Sequence, residues 1–303
     1  MKYRIAGVVV FLSFLIASCQ KELSFENIGP APTAPNLLGD STQLWKLVVL
    51  DSNFVDTSSV LFFRYDSQQR ITKIVSYSYP LSNDSDYYSL TYNGADTFAN
   101  KILEFESNAL VYTNYFFYDS QMRMIKDSFV NNTIPGAGNT FYNNASRFVY
   151  NANGITNFGF TYASQAPTVA VIYDTAYYHP ITVNGNLISE KDTLLPGTVG
   201  FTTYRDYSFT YDNNPCVRIK GYPRVPYYID DFASPIDLFT TNKNNILTMN
   251  NLQTSTYAGG GPYDFRVKNI LTYNSHSLIS KSDVYSAFNG SFLPQNRIFY
   301  FYK

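Results

Sequence analysis

The sequence predicts an all-β protein, an antiparallel meander of repeated β-hairpins forming a strongly curved sheet. Three observations lead there. Aromatic residues make up 17% of the chain, from 28 Tyr and 24 Phe with a single Trp, and flat, half-buried rings suit a pleated surface. Asn, Ser, Thr, Gly and Pro interrupt the chain every several residues, while Ala, Leu and Glu rarely recur at helical spacing. A short pattern also recurs: an apolar run into Tyr-Asp or Tyr-Asn, a polar turn, then an alternating strand.

Its copies end at Tyr65-Asp66, Tyr92-Asn93, Tyr118-Asp119, Tyr150-Asn151, Tyr211-Asp212 and Tyr273-Asn274. The first four are closely spaced, whereas the intervals to Tyr211 and Tyr273 are about double, which predicts a degenerate unit in each. Thr182–Ser189, with Val183 in place of Tyr, supplies one, and the surroundings of Asn244-Asn245-Ile246-Leu247 a second. About eight hairpins then account for Trp45–Lys303. Downstream of four tyrosines stand Ile71 and Lys73, Met124 and Lys126, Val217 and Ile219, Ile279 and Lys281. Strict alternation puts the two members of each pair on one strand face. A flat sheet of so many strands is unfavourable, so it should close into a barrel-like shape or fold into two layers.

Tyr65-Asp66 with Arg70-Ile71, and Tyr118-Asp119 with Arg123-Met124, resemble the YD-repeat family, also called RHS repeats, whose units read roughly Tyr-Asp-x-x-Gly-Arg-Leu. Gln69 and Met122 stand where that unit has its turn glycine, which Gly154 supplies in the fourth copy. Full YD-repeat proteins form large shells around toxin cargo. The units here are far too few for that function to be implied.

The amino terminus predicts export. Lys2 and Arg4 precede an uncharged apolar stretch, Ile5–Ile16, followed by the small residues Ala17 and Ser18. The stretch is shorter than the ~20 residues of a spanning helix. Ile16-Ala17-Ser18-Cys19 resembles the bacterial lipobox, which implies cleavage before Cys19, a diacylglycerol thioether on it and acylation of the new amino terminus. Each buried acyl CH₂ contributes roughly 0.8 kcal/mol, so two or three chains hold firmly where one does not. Residues 1–18 then form the signal peptide and 19–41 the anchor and a Pro-rich tether through Gly29-Pro30-Ala31-Pro32 and Pro35. Residues 42–303 form the repeat domain. Lys21-Glu22 partly resembles the acidic export signal of Bacteroidota-type surface lipoproteins, without its run of acids, so the cell surface and the periplasmic face of the outer membrane both stay open. The assembly as a whole resembles β-rich lipoproteins of unknown function from that group. With Cys19 lipidated, Cys216 has no partner for an intramolecular disulfide and reads as a buried, inert thiol in a turn.

Catalytic signatures are scarce. A formal net charge of −1 with 15% charged residues leaves no electrostatic footprint for nucleic acid. His179 and His276, the only histidines, read as loop residues, which argues against a histidine-rich metal site and a Ser-His-Asp triad. Glu104 and Glu106 flank Phe105 and would share a strand face, about 7 Å apart, a spacing that paired-carboxylate glycoside hydrolysis uses. A solvated strand face is the plainer reading. Asn83-Asp84-Ser85-Asp86 and Asp230-Asp231 lack a calcium loop's glycine and distal Glu, and Gly259-Gly260-Gly261-Pro262 joins no strand to a helix. No catalytic residue, metal or cofactor is expected.

Tyrosine offers an apolar ring face and a polar tip, which suits sugar stacking and interfaces. The adjacent pairs Tyr87-Tyr88, Tyr177-Tyr178 and Tyr227-Tyr228 are the candidate binding residues, since alternation exposes one ring of each pair. The leading functional reading is a non-enzymatic, membrane-anchored binding or scaffold module that contacts a glycan or a cell-surface protein. A carbohydrate-active enzyme with paired carboxylates and a purely structural envelope component are the alternatives.

Overall fold

A computed structural model describes residues 43–78, 86–132, 142–152, 154–163, 170–196, 201–217, 219–223, 242–256 and 262–303. The strands, in chain order, are β1 (Leu44–Leu50), β2 (Thr57–Tyr65), β3 (Ile71–Ser78), β4 (Asp86–Thr91), β5 (Lys101–Glu106), β6 (Ala109–Tyr118), β7 (Met124–Asn131) and β8 (Tyr142–Asn151). They continue with β9 (Gly154–Ala163), β10 (Ala170–Val183), β11 (Asn186–Pro196), β12 (Thr203–Pro215), β13 (Asn244–Ser255), β14 (Tyr263–Tyr273), β15 (Ile279–Phe288) and β16 (Leu293–Tyr302). Each strand pairs antiparallel with its sequence neighbours, and β1 pairs with β16, so the meander closes into a sixteen-strand barrel. Of the two shapes expected, the barrel forms. Closure removes both sheet edges, which would otherwise present unpaired amides.

The Tyr-Asp and Tyr-Asn turns lie at one end of the barrel, here called the Tyr-turn end, except that Tyr211-Asp212 is no turn and falls within β12. Three share one geometry. In the β2–β3 turn, Gln69 N–H donates to Asp66 O and Asp66 N–H to Arg70 O, while Asp66 Oδ1 accepts from the amides of Gln68 and Arg70. Asp119 repeats this with Gln121 and Arg123, and Asn274 with His276 and Leu278. Gln69, Met122 and Ser277 occupy equivalent left-handed positions with φ of 61°, 59° and 61°. These are the places where a glycine would cost least.

Each of these turns ends in a β-bulge. Tyr65 pairs with Ile71 but Arg64 with Lys73; the same step recurs at Tyr118/Met124 and Tyr273/Ile279. The extra residue inverts the alternation. Ile71, Met124 and Ile279 therefore point inward and are buried, while Lys73, Lys126 and Lys281 fall on the outer wall. This corrects the expectation that the two positions share a face. Val217 and Ile219 depart further, since both lie beyond the end of β12 rather than in a strand.

Inward-facing apolar side chains fill the barrel at the Tyr-turn end. Leu47, Phe63, Ile71, Ile74, Ile102 and Ile298 belong to one cluster. Tyr207, Phe209 and Met249 form a second, and Met124, Phe148 and Tyr178 a third. Tyrosine hydroxyls lock successive hairpins together. Tyr65 donates to Leu44 O, Tyr92 to Ile71 O, Tyr118 to Ala99 O, Tyr150 to Met124 O, Tyr211 to Leu187 O and Tyr302 to Ile279 O, over 2.5–3.1 Å. Burial pushes the Tyr150 hydroxyl up to about 12 and the other five higher, so all remain donors at ordinary pH.

The two degenerate units differ. Asn184-Gly185 makes a tight β10–β11 turn with both φ angles positive, as a two-residue hairpin requires. Asn244–Leu247 is no turn: it opens β13, after the chain has left β12 and crossed the barrel mouth.

The capped barrel interior as candidate functional site

The crossing segment is a cap. Residues 216–217 leave β12 and residues 219–223 meet strands on the opposite side, β12 and β3 being seven places apart in the ring. There Ile71 N–H donates to Lys220 O and Ala99 N–H to Gly221 O, both at 2.8 Å. Lys220 Nζ adds a bond to Gln68 O at 2.8 Å. Cys216, Val217 and Ile219 complete the apolar cluster beneath, and Cys216 is buried as expected. It belongs to the cap, however, rather than to a turn.

Arg70 sets the cap's seat. It is 8% exposed, pairs with Asp66 at 2.8 Å, donates to Gly94 O and Asp96 O and lies 4.1 Å from the Tyr92 ring centroid. That guanidinium and the two turn amides hold the Asp66 carboxyl below the usual carboxylate range, against a desolvation that acts the other way. Gly221 passes this group with φ of 95°, and a Cβ there would collide with the Tyr92 hydroxyl.

Beyond the packed core the interior turns polar and acidic. Glu104, Asp127, Glu190 and Asp192 all alternate inward. Glu190 is fully buried and Asp192 is 3% exposed, with Tyr207 and Arg205 directly opposite them on β12. Burial raises the Asp127 carboxyl despite the 2.9 Å bond it accepts from Ser146 N–H. Burial likewise raises Glu104, whose neighbour Tyr88 donates to it at 3.3 Å.

Between β8 and β12, small inward residues leave a cavity of about 400 Å³ lined by Ser146, Asn157, Gly159, Tyr178, Phe201 and Thr203. Asn157 Oδ1 is buried and has no hydrogen-bond partner. A buried acceptor left unmatched costs on the order of 1–3 kcal/mol, and a ligand hydroxyl or amine would satisfy it. The lining thus combines one unmatched acceptor with the rings of Tyr178 and Phe201.

The tyrosine pairs divide as alternation dictates. Tyr87 stands on the outer wall, stacked 4.4 Å from Phe105, and Tyr88 points inward to Glu104. Tyr177 is 38% exposed on the outside, whereas Tyr178 is 7% exposed and lines the cavity. Tyr227, Tyr228, Asp230-Asp231 and Gly259-Gly260-Gly261 lie outside the described residues, as do Asn83–Ser85. Glu106 is exposed at the tip of β5 and Glu104 half-buried, and the charge of Glu106 adds to the burial that raises the Glu104 carboxyl. His276 occupies a turn, but His179 sits on the outer face of β10 rather than in a loop. Among the described residues no cluster of His, Cys, Asp and Glu could hold a metal. The buried acids Glu190, Asp192 and Asp127 escaped sequence reasoning. The available signal was their alternation with Leu194 and Phe129, which share the inward face.

The outer wall mixes exposed apolar side chains, Tyr177, Ile181, Leu195, Tyr204, Leu252 and Ile270 among them, with charged ones. Between β10 and β15 it carries Lys191, Asp206, Asp264, Arg266, Lys268 and Asp283, with ion pairs between Lys191 and Asp206 and between Arg266 and Asp264.

No protein-family model and no curated protein matches the chain in sequence. The fold does have solved counterparts. A porin-like protein from Bacteroides vulgatus superposes with a TM-score of 0.53 at 13% identity, over 86% of this chain and 99% of that one. A porin-like protein from Bacteroides uniformis gives 0.47 at 8% identity, over 87% and 98%. The first likeness establishes a shared barrel fold.

Proposed function

We propose that this chain is a non-enzymatic, lipid-anchored protein of the outer membrane whose capped barrel is a binding cup for a small, hydroxyl-rich ligand of the glycan class. The observation that carries the reading is the cap: residues 216–217 and 219–223 cross one end over a packed core, and the cavity lies on the other side of that floor. A barrel stoppered in this way holds a ligand instead of passing one through. The cavity falls within the ~300–1,000 Å³ of small-molecule sites, and Tyr178 and Phe201 offer ring faces to a sugar while Asn157, Ser146 and Thr203 offer polar atoms to its hydroxyls.

The location draws on two supports. The porin-like fold of the Bacteroides vulgatus protein favours the outer membrane, and the lipobox at Cys19 favours attachment by lipid. The charged wall of β10–β15 favours a barrel held beside the bilayer over one embedded in it, because a Lys or Arg at the midplane of a spanning barrel costs roughly 2–4 kcal/mol. Cys19→Ser should abolish fatty-acid labelling; continued labelling would overturn the anchor.

The ligand reading is tested by a glycan array and a thermal-shift screen of mono- and disaccharides on the mature protein. A hit should be lost in Gly159→Leu, which fills the cavity, and weakened at least tenfold in Asn157→Leu. Hits that survive both substitutions, or none across the screen, would overturn it.

A further inference from the structure

One arc of the outer wall carries cations that meet no acid among the described residues. Lys46, Arg64, Lys73, Lys101, Lys126 and Arg147 all face outward on β1–β8. None forms an ion pair among the described residues, and no acid shares the described outer face of β1–β9. The other arc differs: Lys191, Arg266, Lys281 and Arg297 each meet an aspartate. The unpaired arc also sets like charges against each other. Arg64 stands directly across the ladder from Lys73, and Lys126 directly across from Arg147. Such pairs destabilise a sheet, so the fold carries a cost here that the opposite arc avoids.

Between these cations the arc carries apolar and aromatic side chains, interspersed with the hydroxyls of Ser89, Thr91, Thr113 and Ser128. Lys46 Nζ lies 5.7 Å from the Phe62 ring and 5.2 Å from Phe301, Lys73 3.7 Å from Tyr87, Lys101 5.6 Å from Tyr115 and Lys126 5.3 Å from Phe117. Phe117 is 45% exposed and Phe301 41%, while Val48, Leu103 and Phe105 fill intervening outward positions. Repeated bulges set three of the lysines: Lys73 and Lys126 follow one directly, and Lys46 follows the bulge in β1.

We propose that this lysine–aromatic arc docks the barrel side-on against an anionic lipid headgroup layer. Alternating ammonium groups and rings match an interface in which cations meet phosphates and rings sit at the acyl boundary. A soluble polyanion would match the charges and leave the Val, Leu and Phe positions exposed. The inference stands independently of the ligand reading and of the lipid on Cys19.

The test is vesicle co-sedimentation of residues 42–303. This unit carries all sixteen strands and every core cluster, so the barrel is complete without the amino-terminal segment. Binding is expected to phosphatidylcholine vesicles containing phosphatidylglycerol and not to phosphatidylcholine alone, and it should weaken as salt rises. Each basic residue contributes about fivefold near such a surface, so Lys73→Gln, Lys101→Gln and Lys126→Gln together should lower partitioning about a hundredfold. Lys268→Gln on the opposite arc should change it less than twofold. Should the triple variant misfold by circular dichroism, the exposed single substitution Lys126→Gln still tests the claim through its fivefold loss. Equal binding to neutral vesicles, undiminished binding of the variants, or binding to dextran sulfate without binding to vesicles would each overturn it.

Discussion

The two ends of this barrel are made from the same hairpins and do opposite things. At the Tyr-turn end, six tyrosine hydroxyls tie successive hairpins and residues 216–217 and 219–223 bridge the mouth, with apolar side chains packed beneath. Toward the far end the same inward positions carry Glu104, Asp127, Asn157 and Asp192, and a cavity opens. Large apolar residues near the far connections, Val55, Phe288 and Leu293, are 74%, 62% and 64% exposed. The contrast shows stability and recognition separated along the barrel axis. One end holds the apolar packing, and the other carries the polar interior.

Substitutions at the two ends should therefore differ in kind. The largest effect is expected from Gly221→Val, which adds bulk against Tyr92 and Arg70 at a positive φ. Urea unfolding should show a loss of about 3 kcal/mol or more. Gly94→Ala, with a φ of 57° but open space around it, should lose only about 1–2 kcal/mol. Next come Tyr92→Phe and Tyr118→Phe, each removing one tie for about 1 kcal/mol, whereas Tyr177→Phe on the outer wall should be nearly silent. Equal losses at all three tyrosines would erase the distinction between tie and wall.

Acid titration sharpens the same comparison. The Asp66 and Asp119 carboxyls at the Tyr-turn end, and Asp283 with Arg297, sit below the ordinary carboxylate range. Their stabilisation is complete above the unfolded value of about 4 and is lost as pH falls through the lower folded values. Asp127 is raised by burial, so its contribution has the opposite sign: stability present at low pH declines as pH rises from about 4 through its folded value. Asp127→Asn should raise the thermal midpoint at pH 7 and leave it unchanged at pH 3. A midpoint lowered at pH 7 would contradict an interior that disfavours charge. The smallest effect is expected of Met122→Gly, which relieves a left-handed residue and should gain about 0.5–1 kcal/mol.

Much of the fold was legible because its signals are local. Tyr65-Asp66 and Tyr118-Asp119 announce turns through carboxylates that bond amides two and four residues on, and Asn184-Gly185 through residues tolerant of positive φ. Alternation likewise placed Tyr87 and Tyr88 on opposite faces. Barrel closure was legible only as one of two shapes, since the choice rests on Leu44 meeting Tyr302, distant in sequence. Nor was the cap. Val217 and Ile219 read as another strand because their spacing matches that of Ile71 and Lys73, and only contacts with Ile71 and Ala99, distant in sequence, reveal the crossing. The bulges misled as well, since strict alternation gives no warning that Lys73 turns outward. The interior acids depend on the same face assignment, which is why Glu104 and Glu106 drew notice and Glu190 with Asp192 did not.

The cap is the centre of the account, and two amides report on it alone. Ile71 N–H and Ala99 N–H donate across the mouth to Lys220 O and Gly221 O. Native-state hydrogen exchange should find both protected to nearly the level of global unfolding, with that protection lost in Gly221→Val even where the barrel strands stay protected. Exchange of Ile71 and Ala99 at the rate of exposed turn amides in the unsubstituted protein would show an open mouth and contradict the closed cup.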